Sequence, residues 1–121
     1  MADSGLKGLA RILRASTYSW QGLRSAWRHE AAFREESCAA MLLIPMGLYF
    51  GEGGAEKAIL VTSVVLVLMM EMLNSAVEAC VDRHGSEHHE LAGRAKDMAS
   101  TAVAFALVLV PVVWVLVLFV D

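Results

Sequence analysis

Five polar residues recur along one stretch of this sequence at helical spacing: Glu71, Asn74, Ser75, Glu78 and Asp82. On a helix they fall within about 100° of one another, a polar stripe on an otherwise apolar rod. The stripe follows Ala58 to Met70, a run without a single charge. Ionisable side chains inside such a segment are costly and usually functional. From Ala58 to Glu71 a helix climbs about 20 Å, leaving Glu71 about 10 Å below the far edge of a hydrocarbon core about 30 Å thick. Glu78 then reaches about 30 Å, the edge itself. The same sum puts Glu30, counted back from Phe50, and Ser100, counted back from Val120, at about 30 Å, with Asp97 and Lys96 about one turn higher.

Carboxylates gathered at one depth repel unless a cation joins them, and hard oxygen ligands suit Mg²⁺, above all Mg²⁺ carried on nucleotide phosphates. Lys96, Arg11 and Arg94 can meet phosphate oxygens. Glu71, deeper than the metal level, is placed to take a proton from a hydroxyl in the lipid headgroup region. Those ingredients fit phosphoryl transfer to a lipid alcohol, where catalysis is mostly positioning and charge neutralisation. Three other readings compete. Glu71 and Glu78 could simply pair with Lys96 or Arg94 to hold helices together. A small proton-coupled exporter would also carry a membrane carboxylate, but nearer the midplane and without polar companions stacked outward. A noncatalytic assembly subunit would bind no nucleotide.

The elements that must position these residues are membrane elements. Of 121 residues 57% are hydrophobic and 19% charged, against a usual charged share of about 25%. Met98 to Val120 is 23 residues without one charge, enough to cross a bilayer. A soluble enzyme is improbable, and a net charge of -3 offers no basic surface for nucleic acid. No cleaved leader is expected at the N-terminus, because charges interrupt its leucines. Residues 5–28 instead place Leu6, Leu9, Leu13, Trp20, Leu23 and Trp27 on one helical face with Lys7, Arg11 and Arg14 opposite, the pattern of a helix lying in the membrane interface. Cys38 to Phe50 is too short to span and holds Pro45. The first span is therefore expected over 31–50, carrying Arg34, Glu35 and Glu36 into the headgroup layer.

Gly51 to Gly54 read as a turn, 58–82 as the second span with a cytoplasmic extension, Arg83 to Gly93 as a polar connector and 94–120 as the third span, kinked at Pro111. The expected architecture is one all-α integral membrane domain, three transmembrane helices plus an amphipathic surface helix. Nine of the ten Lys and Arg residues fall on one side and Lys57 on the other, which puts the N-terminus in the cytoplasm and the C-terminus outside. Cys38 and Cys80 read as small buried hydrophobes. His84, His88 and His89 read as loop residues, and Thr62, Ser63 and Thr101 as bonding their own backbone. There is no GxxxxGK[ST] and no kinase glycine loop, HRD or DFG motif.

Three stretches, YSWQGLRSAWRHEAAFREE (Tyr18 to Glu36), EMLNSAVEACVD (Glu71 to Asp82) and GSEHHELAGRAKDMAS (Gly85 to Ser100), closely resemble the small bacterial membrane-integral diacylglycerol kinases, with similarity running from about Arg11 to Trp114. The resemblance implies an inner-membrane homotrimer that phosphorylates diacylglycerol with MgATP to give phosphatidate, its active sites lying between protomers and its C-terminus in the periplasm. By position, Glu71 is similar to the family's general base, held near Asn74, and Glu30 and Glu78 to its metal-binding carboxylates. Arg11, Tyr18, Glu87, His89, Lys96 and Asp97 match nucleotide-contacting positions, as do Glu30 and Glu78. Arg11, Trp20, Ala32, Phe33, Glu36, Glu71, Ser100 and Trp114 match positions of the lipid-substrate site. His88 replaces a common tyrosine and Ala99 a common glycine, while Pro45 and Pro111 break spans often left unbroken. Relatives that phosphorylate undecaprenol share the catalytic motifs, so another lipid alcohol is the alternative substrate.

Overall fold

The computed structural model describes residues 5–85 and 89–121. The described chain is all-helical: α1 (Gly5–His29), α2 (Ala31–Phe50), α3 (Gly53–Asp82) and α4 (Glu90–Phe119). Helix α3 is the central element, packed against α2 on one side and α4 on the other, while α1 meets chiefly α2. Helices α3 and α4, 30 residues each, are long and apolar enough to cross a membrane. With 20 residues, α2 is about 30 Å long, but its first two turns carry Arg34, Glu35 and Glu36.

Helix formation reaches further than the apolar runs alone indicate. Helix α3 begins at Gly53 rather than Ala58, and α4 at Glu90 rather than residue 94. The turn between α2 and α3 is accordingly tight. Gly51 N–H donates to the Gly47 carbonyl at 3.0 Å, and the Glu52 N–H donates to Glu56 Oε1 at 3.0 Å. Gly53 starts α3 at φ +80, in the left-handed region that glycine enters without a Cβ penalty. A Cβ on Gly51 would lie 2.9 Å from the Gly47 carbonyl oxygen, closer than real side chains approach backbone. Pro45 and Pro111 both lie inside continuous helices.

The packed interior is small and made of the faces that α2, α3 and α4 turn to each other. Leu60 is fully buried, with Phe33, Ala40, Val64, Val67, Val103 and Ala106 around it. One three-helix contact stands out near the far end from the polar stripe. Ser63, buried, donates to the Leu60 carbonyl at 2.8 Å and accepts from Trp114 Nε1 at 3.1 Å. The indole passes over Gly47, where an added Cβ would meet the ring at 3.5 Å and Leu60 Cβ at 3.1 Å. Glycine on α2 thus lets α3 and the α4 tryptophan approach together, and the serine satisfies the indole N–H within apolar surroundings.

The remaining apolar surface faces outward. Leu13, Trp20, Phe105 and Phe119 are 61%, 62%, 70% and 80% exposed, and Ala26 is the buried residue of α1. Such a surface suits lipid rather than water. Cys38 and Cys80 are free thiols, but both lie on the exposed side of their helices, not buried as expected. The inward faces of the two helices are taken by other residues, Ala40 on α2 and Glu71 on α3 among them.

The three-helix contact makes a stability prediction. Gly47→Val should destabilise the chain by about 1–3 kcal/mol by overpacking against Leu60 and Trp114, and Ser63→Ala by about 1 kcal/mol through the lost hydrogen bond. Reversible unfolding in mixed micelles, followed by tryptophan fluorescence, measures both; a Gly47→Val protein as stable as the parent would refute the close approach.

Candidate active site

The polar stripe of α3 forms the centre of the site. Glu71 is only 5% exposed, and its carboxyl lies directly against that of Glu36 on α2. Two carboxyls in contact require a proton or a cation between them. The charges of Glu78, one to two turns further along α3, and of Glu30, at the start of α2, also bear on Glu71. Antiparallel packing explains the grouping: Glu36 stands about 21 Å from the Phe50 end of α2, and Glu71 about 20 Å above Ala58. Six to seven residues further from the α2–α3 turn, Glu30 and Glu78 share the next level.

Asn74 donates its Nδ2 hydrogen to Glu78 Oε1 at 3.4 Å. The amide therefore orients Glu78. Its Oδ1, like Oε2 of Glu36, is buried and has no hydrogen-bond partner within the chain. Buried acceptors left open in this way mark places where a donor or cation completes the arrangement.

Helix α4 brings the cations. Lys96 Nζ lies 2.6 Å from Asp82 Oδ1, an ion pair joining the ends of α3 and α4, with Glu78 exerting a weaker pull on the same ammonium. The sequence stripe includes Asp82 without assigning it this partner. Lys96, Asp82 and His89 line a cleft of about 720 Å³ between the two helix ends, with Gly85 and Gly93 in its wall. Gly85, at φ +105, turns the chain out of α3. Asp97 and Ser100 are exposed on the first turns of α4, and Thr101 Oγ1 donates to the Asp97 carbonyl at 2.8 Å.

His89 is the N-cap of α4: its Nδ1 accepts from the Leu91 backbone N–H at 3.1 Å. The accepting nitrogen carries no proton, so Nε2 is the donor the ring presents elsewhere. Glu87 and His88 lie outside the described residues. On α1, Arg11, Tyr18 and Trp20 are exposed. A second cleft, about 460 Å³, runs beneath that helix between Trp20, Leu23, Trp27 and Phe33, with Arg24 and Arg28 at its rim. Ala32 is exposed at the start of α2 while Phe33 is buried. Trp114 is half-buried, far down α4 in its contact with Ser63. The chain thus brings Glu30, Glu36, Glu71, Asn74 and Glu78 together, sets Lys96 beside them, and leaves Arg11, Tyr18, Asp97 and Ser100 on its outer surface. Among the described residues, no group of three or more His, Cys, Asp or Glu side chains is arranged to hold a metal ion by itself.

Residues 17–118 match the family model for prokaryotic diacylglycerol kinase. The chain belongs to the prokaryotic diacylglycerol kinase family. It is 47% identical over 112 residues to a diacylglycerol kinase of Escherichia coli strain K12, covering 93% of this chain and 92% of that one. With the diacylglycerol kinase of Haemophilus influenzae it shares 48% identity over 112 residues, 93% of this chain and 95% of the other. With that of Pseudomonas aeruginosa it shares 42% over 114 residues, 94% and 93% of the two chains.

For a prokaryotic diacylglycerol kinase family member, the residues that sequence reasoning passes over are those defined by side-chain direction. Asp82 is visible as part of the stripe, but its reach to Lys96 depends on how α3 and α4 end. The capping role of His89 has a local signal, a hydrogen-bonding side chain directly before the helix that starts at Glu90. His89→Asn should retain the first turn of α4, whereas His89→Ala should loosen it by about 1 kcal/mol. Amide exchange at Leu91 reads the difference, and equal protection in the two variants would dismiss the cap.

Proposed function

We propose that this protein transfers the γ-phosphoryl group of ATP to the free hydroxyl of diacylglycerol, giving phosphatidate, at the cytoplasmic face of a bacterial inner membrane. The observation that carries this reading is the cluster of Glu71, Glu36, Glu30 and Glu78 around one buried carboxyl, in a chain 47% identical to a diacylglycerol kinase. Helices α2, α3 and α4 are the three crossings and α1 lies in the interface. The N-terminus is cytoplasmic and the C-terminus periplasmic, as the distribution of Lys and Arg favours.

In this reading Glu71 is the general base. It takes the hydroxyl proton as the lipid oxygen bonds to the γ-phosphorus, and the bond from that phosphorus to the bridging oxygen breaks, releasing ADP. Glu36, in contact with Glu71, offers the proton a second acceptor and holds the hydroxyl side of the site. Glu30 and Glu78 suit Mg²⁺ riding on the nucleotide: magnesium keeps several waters and takes one or two carboxylates plus phosphate oxygens rather than a full protein cage. When bound, the ion neutralises phosphate charge. Asn74 orients Glu78 for it.

Lys96, released from Asp82, and Arg11 meet phosphate oxygens. Tyr18, Glu87, His89 and Asp97 complete the nucleotide contacts, His89 lining the cleft with Nε2–H as its remaining donor. Trp20, Ala32, Phe33, Glu36, Ser100 and Trp114, with Arg11 and Glu71, contact the lipid. Several of these side chains lie on outer faces of a single chain. A homotrimer brings those faces against neighbouring protomers, and the open acceptors of Glu36 and Asn74 fit a site finished by substrate and partner.

With the trimeric protein in bicelles and radiolabelled ATP, Glu71→Gln should lower transfer to diacylglycerol by about 10²–10⁴-fold while the trimer persists. Substantial residual turnover would remove Glu71 as base. Glu78→Gln should raise the Mg²⁺ concentration needed for half-maximal rate, and an unaltered Mg²⁺ profile would take it out of the metal site. A panel of diacylglycerol, undecaprenol and ceramide in the same preparation identifies the substrate by which product labels fastest.

A further inference from the structure

The junction between α1 and α2 is a single non-helical residue, Glu30, with φ -117 and ψ 105 and no side-chain hydrogen bond capping α2. Two backbone bonds cross it: Glu30 N–H donates to the Ala26 carbonyl at 2.9 Å, and Arg34 N–H to the Glu30 carbonyl at 3.2 Å. Neither reaches the end carbonyls of α1 at Trp27 and Arg28, which have no partner further along their own helix. The Arg34 side chain does. Its Nη1 donates to the Trp27 carbonyl at 2.8 Å and to the Arg28 carbonyl at 3.3 Å. A guanidinium at this place also meets the negative end of the α1 dipole.

Among the described residues, apolar packing holds α1 lightly. Ala26 is its buried residue, packed at the same end, while Leu9, Leu13 and Trp20 are more than half exposed. The angle at which α1 leaves α2 therefore depends on the last turn of α1, on Phe33 beneath it and on the guanidinium that joins the two helices. The residue at the corner is Glu30, whose charge is felt at Glu71.

We propose that Arg34 is a positioning residue: by tying the Trp27 and Arg28 carbonyls of α1 to the first turn of α2, it fixes the elbow at Glu30 and so the distance of that carboxylate from Glu71 and Glu78. Its consequence for Mg²⁺ use rests on the reading of Glu30 as a MgATP ligand. The clamp itself does not. Lysine cannot substitute well, because its point charge lacks the planar donor geometry of guanidinium.

The test uses full-length protein in bicelles with Arg34→Met, Arg34→Lys and Glu30→Gln, measuring the Mg²⁺ and lipid dependence of the rate together with the motional freedom of a spin label on the exposed face of α1. Both Arg34 variants should need about tenfold more Mg²⁺, the effect expected when the support of a metal ligand is lost, with the lipid KM unchanged and the α1 label more mobile. Glu30→Gln should raise the Mg²⁺ requirement without mobilising α1. If Arg34→Met raises the lipid KM and leaves α1 as rigid as before, Arg34 is a lipid contact and the clamp is wrong. Full recovery by Arg34→Lys would likewise overturn it, since charge alone would then suffice. An unchanged Mg²⁺ requirement in Glu30→Gln would defeat the ligand reading of Glu30, while the mobility of α1 would still decide the clamp.

Discussion

The arrangement turns on a carboxyl that must be accommodated inside an apolar helix bundle. Glu71 is 5% exposed on a helix whose preceding turns are uncharged, and burying such a group alone is prohibitively costly. The chain does not relieve that cost by pairing with a cation: the groups that act on Glu71 are further carboxyls, Glu36, Glu78 and Glu30, which add to it. The cation of the neighbourhood, Lys96, is held by Asp82 near the helix ends. A structural salt bridge would have placed the lysine at Glu71. Keeping positive charge at the rim and acids inside leaves a site whose charge is balanced only when a proton, a metal ion or a phosphate-bound cation enters it.

Helix geometry makes that grouping possible with few residues. Because α2 and α3 run antiparallel, acids six residues apart on α2 and seven apart on α3 fall into two levels, Glu36 with Glu71 and Glu30 with Glu78. The turn at Gly51 and Gly53 sets that register at the opposite end. Any longer loop would let α2 slide and separate the pairs. The notch at Gly47, filled by Leu60 and the Trp114 ring, locks α2, α3 and α4 at the same end, so two tight features remote from the acids hold the levels in line.

Much of this was legible in the sequence because it depends on rise per residue alone. The stripe from Glu71 to Asp82 and the matching heights of Glu30 and Glu78 follow from about 1.5 Å per residue. What the sequence does not specify is azimuth and side-chain reach. The same arithmetic places Lys96 near the acids without saying that Asp82 takes it; the habit of in-span serines puts Ser63 on its own backbone, where it is, without revealing the indole it also receives. Cys38 and Cys80 are exposed for the same reason: in a chain whose outer surface is apolar, hydrophobic character no longer distinguishes inside from outside. Helices α3 and α4 start early, at Gly53 and Glu90, because polar residues continue a helix past the apolar run that announces it.

Helix α1 joins the two themes. It buries little of its described surface against the rest of the chain, so polar ties at its end matter more than they would for a well-packed helix. Its last carbonyls are gathered by Arg34, and the one residue freed from helical geometry at that corner is an acid of the cluster. An acid placed mid-helix would be fixed in direction by the helix itself. At a junction its direction follows the angle between two elements, and here the Arg34 guanidinium bridges them. The acids of α3 are thus placed by their own helix, and Glu30 by the elbow that Arg34 ties.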